Sequence, residues 1–302
     1  MKILVCMKQV PDMESKFKLN SEGKWYDNSD LAWRMNEYDE YAVEQAVQLK
    51  EQVGEADVTV LSIGSDRVKE PMKKALAMGC DRGVHVVDEA SFAKDPFEIA
   101  SIIATFAKDK GFDMIFTGMQ SQDRGSAQVG VLVAEMLGLA SISTIVEFAY
   151  DNGQVTVRRE LEGGLKAIVK AKTPALMTCQ LGLNKPRYPT LPNIMKAKKK
   201  EMLTVEVATL LQADAVQETT RMYFPEKKGG GIVLEGDVGN MVDEIITILK
   251  DKTGVLARVG PSMRRTPVTH PACSAKSALS GNTLRTLQHA SVSVCHRLSG
   301  VT

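Results

Sequence analysis

Residues 57–87 read DVTVLSIGSDRVKEPMKKALAMGCDRGVHVV, and this stretch decides the fold class. It begins with a continuous apolar run that Gly64 ends, which is typical of a strand buried on both faces. A helical period follows over residues 67–78 and stops at Gly79, and a second short apolar run covers residues 83–87. A strand, a helix and a strand in succession indicate a β-α-β unit, which belongs in a parallel sheet.

The same alternation extends over the first half of the chain. Apolar runs predict further strands at residues 3–10 and 113–117. Helical spacing predicts further helices at residues 40–53, 96–110 and 126–137. The sequence therefore predicts an α/β fold with a mostly parallel sheet and helices on both faces.

The pattern changes after Ser141. Apolar runs at residues 144–150 and 154–161 flank an Asn-Gly pair, Asn152 and Gly153, which predicts a β-hairpin added to the sheet. Strand character continues at residues 167–171 and 175–180. A polar, Gly-rich connector and an amphipathic helix at residues 238–250 predict an extended C-terminal arm over residues 221–257.

Composition limits the class of protein. The chain has 302 residues, of which 44% are hydrophobic and 25% charged, and a formal net charge of +1, which disfavours a general nucleic-acid binder. It contains no apolar run of the roughly 20 residues that a transmembrane helix needs, so no membrane insertion is expected. Its five cysteines form no CxxC pair, which favours free thiols in a reducing compartment. With an N-terminus that resembles no targeting signal, these features predict a cytoplasmic protein.

The end of the chain is atypical. Residues 252–302 contain seven Lys and Arg and no Asp or Glu, together with three of the four histidines, and no hydrophobic period persists there. One interpretation is a basic arm for an anionic partner. The alternative, which we favour, is that residues 258–302 form a disordered or non-native segment outside the fold.

A candidate ligand site lies between the strand at residues 113–117 and the helix that follows. Residues 118–130, here called the nucleotide loop, read GMQSQDRGSAQVG. Open parallel sheets bind ligands at the carboxyl ends of their strands, and helix N–H groups with the Ser126 hydroxyl would suit a phosphate. Gln120, Asp123 and Gln128 could hydrogen-bond a sugar or a base. The same residue types are also ordinary helix caps, so the spacing alone leaves both readings open.

A candidate protein-binding site lies at residues 183–200, here called the docking segment, which read LNKPRYPTLPNIMKAKKK. Three prolines and the lack of any period argue against a strand, and against a helix before Pro192. Leu191 and Ile194 would project outward beside a basic cluster, Lys196 and Lys198 to Lys200. An apolar tip next to positive charge suits docking to another protein, although an ordinary surface connection remains an alternative.

Catalytic and metal motifs are missing from the sequence. It contains neither GxGxxG nor GxxxxGK[ST], no metal-ligand spacing, and no convincing nucleophile with a base. Outside the atypical tail the only histidine is His85, which lies in an apolar run and is expected in the core. The chain is therefore interpreted as a binding subunit and not as a self-sufficient enzyme, with no catalytic residue and no metal site.

Several motifs together resemble the electron transfer flavoprotein beta subunit. The docking segment resembles its recognition loop, and the nucleotide loop resembles its own. Further matching motifs, in order, are KQVPD at 8–12, MNEYD at 35–39 with AVEQA at 42–46, ALAMGCDRG at 75–83, VRRELEGG at 157–164 and PALMT at 174–178. The resemblance covers residues 1–257 and implies an adenine-nucleotide alpha-hydrolase-like fold over residues 1–220, with the arm contacting an alpha subunit.

The resemblance also implies the ligands and the site residues. AMP would bind this chain, and the redox FAD would lie mainly on the alpha subunit. Electrons would pass from acyl-CoA dehydrogenases to a quinone oxidoreductase. The implied nucleotide-binding residues are Cys6, Asn36, Glu37, Tyr38, Asp39, Ile63, Gly118, Met119, Gln120, Ser121, Gln122, Asp123, Arg124, Gly125, Ser126, Ala127, Gln128 and Val129. The implied docking residues are Tyr188, Leu191, Pro192, Ile194, Met195, Lys196, Lys198 and Lys199.

Two alternatives stay open. In electron-bifurcating relatives a second FAD replaces AMP, but those relatives often lose the wording TLPNIMKAKKK, which this chain retains at residues 190–200. The other alternative is a stand-alone adenine-nucleotide sensor without a redox role.

Overall fold

The computed structural model describes residues 1–225 and 231–253, so the tail predicted at residues 258–302 lies outside the described residues. The described residues fall into two compact units, one of residues 1–223 and one that begins at residue 224. The arm predicted at residues 221–257 is described only at residues 221–225 and 231–253.

The elements of the first unit alternate as the sequence predicts. Its strands are β1 (Lys2–Cys6), β2 (Gln9–Pro11), β3 (Trp33–Met35), β4 (Asp57–Gly64), β5 (Arg82–Val87), β6 (Met114–Gly118), β7 (Ala140–Asp151), β8 (Gln154–Glu160), β9 (Lys166–Lys172), β10 (Ala175–Cys179) and β11 (Met202–Glu206). Its helices are α1 (Glu37–Val53), α2 (Lys69–Met78), α3 (Pro96–Ala107), α4 (Val129–Leu137) and α5 (Leu191–Ala197).

Nine strands form one sheet in the order β11-β5-β4-β1-β6-β10-β7-β8-β9. All neighbours from β11 to β7 are parallel, and β8 and β9 add two antiparallel strands at one edge. The predicted mostly parallel sheet is therefore confirmed. The short strands β2 and β3 pair with each other outside this sheet.

Both faces of the sheet are buried, which explains the continuous apolar strands. Ile3 and Val5 of β1 belong to one core with side chains of α1 and α2. Leu4, which points to the opposite face, belongs to a second core with side chains of α3 and α4. Because successive strand residues face opposite sides, a helix-covered sheet needs apolar residues at every position.

The predicted hairpin is confirmed between β7 and β8, where Asp151 lies opposite Gln154. The two connecting residues, Asn152 and Gly153, have φ of 44° and 84°. Two successive positive φ values define the tight turn that Asn-Gly favours, because its twist matches that of the strands.

Four predicted helix starts are wrong by two or three residues. The helix expected from residue 40 begins at Glu37, and the helix expected from residue 67 begins at Lys69. The helix expected from residue 126 begins at Val129, because Gly125 and Ala127 take positive φ values of 62° and 53° and keep the loop open. The docking segment was expected to be non-helical up to Pro192, but α5 already begins at Leu191. Proline fits the first turn of a helix, since the N–H that it lacks would have no intrahelical partner there.

The described part of the second unit contains α6 (Val238–Ile248). The Asp237 carboxylate caps this helix by accepting a hydrogen bond of 2.9 Å from the Gly239 N–H. Val238, Val242 and Ile245 lie on one face of α6 and are exposed. Among the described residues, no helix is both long enough and apolar enough to cross a membrane.

Candidate functional site

A cavity of about 250 Å³ opens at the carboxyl ends of β1, β4 and β6. It lies where the strand order changes direction, because β1 pairs with β4 on one side and with β6 on the other. Such a switch point leaves a crevice above the sheet, since the connections on its two sides run apart. Of the residues implied to bind a nucleotide, those that line the cavity are Cys6, Asn36, Asp39, Ile63, Gly118, Met119, Gln120, Ser121, Asp123, Arg124, Ser126, Ala127, Gln128 and Val129.

The first turn of α1 holds the floor of the cavity together. The Asp39 carboxylate accepts hydrogen bonds from the Lys8 N–H at 2.7 Å and from the Gly118 N–H at 3.0 Å. It thereby ties the end of β1 to the end of β6. Burial raises the pKa of Asp39 to about 7, although both N–H groups favour its charged form.

Asn36 fixes the nucleotide loop by two hydrogen bonds. Its Nδ2 donates to the Gln120 carbonyl at 2.8 Å, and its Oδ1 accepts from the Gln122 N–H at 3.0 Å. Because Asn36 is buried, these bonds satisfy its side-chain amide and hold the loop backbone in place.

Four residues implied to bind the nucleotide do not line the cavity, namely Glu37, Tyr38, Gln122 and Gly125. The Glu37 carboxylate accepts from Gln122 Nε2 at 2.9 Å, and the Tyr38 hydroxyl contacts Gln120 Nε2 at 3.2 Å. Both α1 side chains therefore hold the nucleotide loop by contacts outside the cavity. Gly125 provides a turn, since its N–H donates to the Ser121 carbonyl at 2.8 Å.

Close packing brings the nucleotide loop onto the sheet. A Cβ at Gly130 would lie 2.6 Å from Thr117 Oγ1 and 2.7 Å from Thr178 Cγ2. Only a glycine therefore lets the first turn of α4 approach β6 and β10 this closely. The start of α4 consequently lies next to the cavity, where its free N–H groups suit an anion.

Asp123 has a role that the sequence did not reveal. Both of its carboxylate oxygens lie 2.7 Å from Lys8 Nζ, and its side chain is only 3% exposed. A hydrogen bond that Asp123 accepts from a sugar or base would therefore compete with this ion pair to Lys8. Lys8 also lines the cavity, and its ammonium group is already paired with Asp123.

An aromatic wall, which the sequence analysis missed, closes one side of the cavity. Trp25, Tyr26, Trp33 and Phe92 line it, and Trp25 and Tyr26 are each 7% exposed. Both tryptophans of the chain, Trp25 and Trp33, are in this wall. Their closeness to each other in the sequence is the signal that could have predicted an aromatic side of the site. Further lining residues that were not anticipated include Met7, Lys8, Gln9, Leu61, Ser65, Arg67, Val68, Glu89, Ser91, Lys94, Pro96, Ile99 and Ile103.

Two arginines stack on this wall. The guanidinium carbon of Arg124 lies 4.7 Å from the centroid of the Trp25 ring, and that of Arg67 lies 4.0 Å from the Trp33 ring. Arg124 also donates to the carbonyl oxygens of Phe92 and Lys94. Both stacked arginines bring positive charge to the cavity, and Arg124 also links the nucleotide loop to the segments that contain Trp25 and Phe92.

Cys6 and His85 are both buried side chains. Burial raises the pKa of the Cys6 thiol well above its usual range, so Cys6 stays protonated. His85 is fully buried, and its Nε2 lies 2.8 Å from the Gly64 carbonyl, as expected for a core histidine. Among residues 1–225 and 231–253, no group of three or more His, Cys, Asp or Glu side chains is placed to hold a metal ion.

The docking segment protrudes from the same unit. Tyr188 is 91% exposed, Leu191 79% and Met195 61%. Pro192, Ile194, Lys196, Lys198 and Lys199 are also exposed. The predicted docking residues therefore all lie at the surface, with apolar and basic side chains intermixed.

A helix-covered parallel sheet with a polar and aromatic cavity at its switch point defines the class of α/β ligand-binding proteins. Residues 24–210 match the electron transfer flavoprotein domain family. The chain therefore belongs to the electron transfer flavoprotein family, and the resemblance stated from its motifs is confirmed.

Three of the similar proteins are named as beta subunits. The chain is 35% identical over 264 residues to the electron transfer flavoprotein subunit beta of Methylophilus methylotrophus, which covers 84% of this chain and 100% of the relative. It is also 35% identical to that of Bacillus subtilis over 85% of this chain and 100% of the relative. The mouse protein is 35% identical over 78% of this chain and 93% of the relative.

Membership in this family establishes a coarse function. Electron transfer flavoprotein beta subunits act as electron carriers in a complex that holds a flavin, together with an alpha subunit. This favours an electron-transfer subunit over the alternative of a nucleotide sensor without a redox role.

Proposed function

We propose that this chain binds AMP in the cavity at the switch point and forms a heterodimer with an alpha subunit that carries FAD. Electrons from acyl-CoA dehydrogenases enter the complex and leave to a quinone oxidoreductase. The observation that carries the docking part of the proposal is the docking segment, since its large apolar side chains are exposed beside lysines on α5.

The chemistry of the cavity supports a nucleotide monophosphate. N–H groups at the start of α4 provide donors for a phosphate, and the guanidinium group of Arg124, which also lines the cavity, provides positive charge. The amides of Gln120 and Gln128 provide groups for a sugar or base, and the aromatic wall offers an apolar side for a planar ring.

The docking proposal follows from the surface chemistry of α5. Leu191 would enter an apolar pocket on the dehydrogenase and act as the anchor. Lys196, Lys198 and Lys199 would lie at the rim, where charge mainly speeds the encounter and selects the partner.

The alpha subunit requires a separate surface. We assign it to the C-terminal arm, where Val238, Val242 and Ile245 form an exposed apolar face on α6. An exposed apolar stripe on a helix is the kind of surface that a stable subunit contact buries. We also propose cytoplasmic residence, because Cys6, Cys80 and Cys179 are free thiols, which suits a reducing compartment.

The decisive experiment is identification of the nucleotides extracted from the heterodimer purified with its alpha subunit. One AMP and one FAD per heterodimer are expected. Two FAD and no AMP would instead support an electron-bifurcating complex. A heterodimer with FAD and no second nucleotide would refute the role of the cavity.

A further inference from the structure

The docking segment is fixed to the α/β unit near both of its ends. At the first end, Asn184 Nδ2 donates to the Tyr41 carbonyl at 3.0 Å and to Gln45 Oε1 at 3.3 Å. At the second end, Lys200 Nζ donates to the carbonyls of Leu76 and Cys80 at 2.9 and 2.6 Å. The exposed apolar residues therefore project from a frame that α1 and α2 provide.

Arg187 makes the most extensive of these attachments. Its Nε and Nη2 donate to the two carboxylate oxygens of Glu44 at 2.9 and 3.0 Å. Its Nη1 and Nη2 donate to the two oxygens of Glu51 at 2.5 and 2.9 Å. The Arg187 N–H also donates to Glu44 Oε2 at 3.2 Å. One guanidinium group thus joins two carboxylates that lie two turns apart on one face of α1.

The burial of this cluster makes the geometry specific. The Glu44 side chain is 3% exposed, whereas the side chains of Arg187 and Glu51 are 33% and 57% exposed. Glu44 therefore depends on Arg187 for the compensation of its charge, and a planar fork satisfies both oxygens at once. A lysine offers a single ammonium group and could not reproduce both bidentate pairs.

We propose that Arg187 is a positioning residue, which holds the first half of the docking segment so that Leu191 is presented ready for contact with the partner dehydrogenase. The inference rests on the proposed docking function. Without Arg187 the chain between Asn184 and Leu191 would gain conformational freedom, and docking would then have to order it again. The bonds of Asn184 and Lys200 would still keep the segment attached.

This role predicts a specific kinetic pattern. Arg187→Ala should raise the heterodimer concentration that half-saturates the dehydrogenase by about 10- to 100-fold. The maximal rate should not change, because the flavin path of the docked complex is the same. FAD and nucleotide content should also match the unchanged protein.

The assay is electron transfer from a dehydrogenase reduced by its acyl-CoA substrate to the purified heterodimer. Lys185→Ala is the matched control, since Lys185 is an exposed basic residue two positions away. Leu191→Ala is the reference for docking itself. Arg187→Lys separates position from charge: if Arg187 only attracted the partner, the lysine variant would behave like the unchanged protein. In addition, the effect of Arg187→Ala should persist at high salt.

The outcomes distinguish the positioning role of Arg187 from the docking function of the segment. If Leu191→Ala weakens docking and Arg187→Ala changes half-saturation less than twofold, the positioning role is refuted and the docking function stands. If neither variant has an effect, the docking function itself fails. Loss of FAD with Arg187→Ala would refute the positioning role in favour of a purely structural one. Should Arg187→Ala fail to fold, Glu51→Gln leaves the buried Glu44 pair intact and should raise half-saturation to a smaller extent.

Discussion

At Gly118, at the end of β6, the backbone lies so close to α1 that there is no room for a side chain. A Cβ at this residue would lie 2.7 Å from Tyr38 Cβ and 3.1 Å from the Tyr38 carbonyl carbon, and it would overlap the Asp39 carboxylate. The Gly118 N–H also donates to Asp39 Oδ1 at 3.0 Å. Gly118→Ala should therefore push the first turn of α1 away from β6 and break this hydrogen bond.

The expected loss has two parts. Overpacking of a tight site costs about 1–3 kcal/mol. One of the atoms that the new Cβ would contact is the Tyr38 carbonyl carbon, which belongs to the backbone and cannot move by a change of rotamer. Loss of a hydrogen bond to a buried carboxylate costs about 1.5–3 kcal/mol. We expect the free energy of unfolding to fall by about 2.5–6 kcal/mol, which lowers the melting temperature by about 5–24 °C for a domain of this size.

Gly83→Ala is the matched control. It lies on a parallel strand of the same sheet, and the nearest atom to its added Cβ is Met72 Cε at 3.0 Å, the end of a flexible side chain. Its free energy of unfolding should change by less than about 1 kcal/mol. Thermal and urea unfolding of both variants gives the comparison, and the nucleotide content should fall only for Gly118→Ala. If Gly118→Ala is as stable as Gly83→Ala and keeps its nucleotide, the proposed role of the α1 and β6 contact is wrong.

Three further predictions test other parts of the molecule. Leu191→Ala should weaken docking to the dehydrogenase by at least about 30-fold, as loss of an anchor residue does, with no loss of FAD. Its melting temperature should barely move, because Leu191 is 79% exposed in the free protein; unchanged docking would contradict the anchor role. The pKa of Asp39 is raised to about 7, so its contribution to stability is complete below about pH 4 and is lost as the pH rises through about 7. Relative to Asp39→Asn, the unchanged protein should lose up to about 1.4 kcal/mol per pH unit over that window, and parallel pH profiles in urea unfolding would exclude this titration. Trp25→Phe should weaken AMP binding in equilibrium dialysis by up to about tenfold, because Trp25 stacks with the Arg124 guanidinium; equal affinity would leave the aromatic wall without a role in binding.

The sequence predicted the order of strands and helices because the signals are local. The apolar run of β4 ends at Gly64, and α2 is followed by Gly79. In both cases the residue that marks the boundary is at the end of the element itself. The Asn152-Gly153 turn likewise depends only on the φ values that its own two residues tolerate.

Local signals failed where neighbours in space override them. Ala127 has no intrinsic preference for a positive φ, yet it takes 53° in the folded nucleotide loop. The start of α4 is instead fixed by tertiary contacts such as the close packing of Gly130 on Thr178 of β10. For this reason the helix was predicted three residues too long.

The amino-acid sequence by itself determined the α/β class, the position of the nucleotide loop and the exposed character of the docking segment, since all three follow from periodicity, glycine and proline. Only the tertiary structure decided what each side chain contacts. The pairing of Lys8 with Asp123, the stacking of Arg124 on Trp25 and the fixing of Arg187 by Glu44 join residues 115, 99 and 143 positions apart. Such pairs leave no periodic trace in the sequence, because they arise only when the strands have been ordered in the sheet.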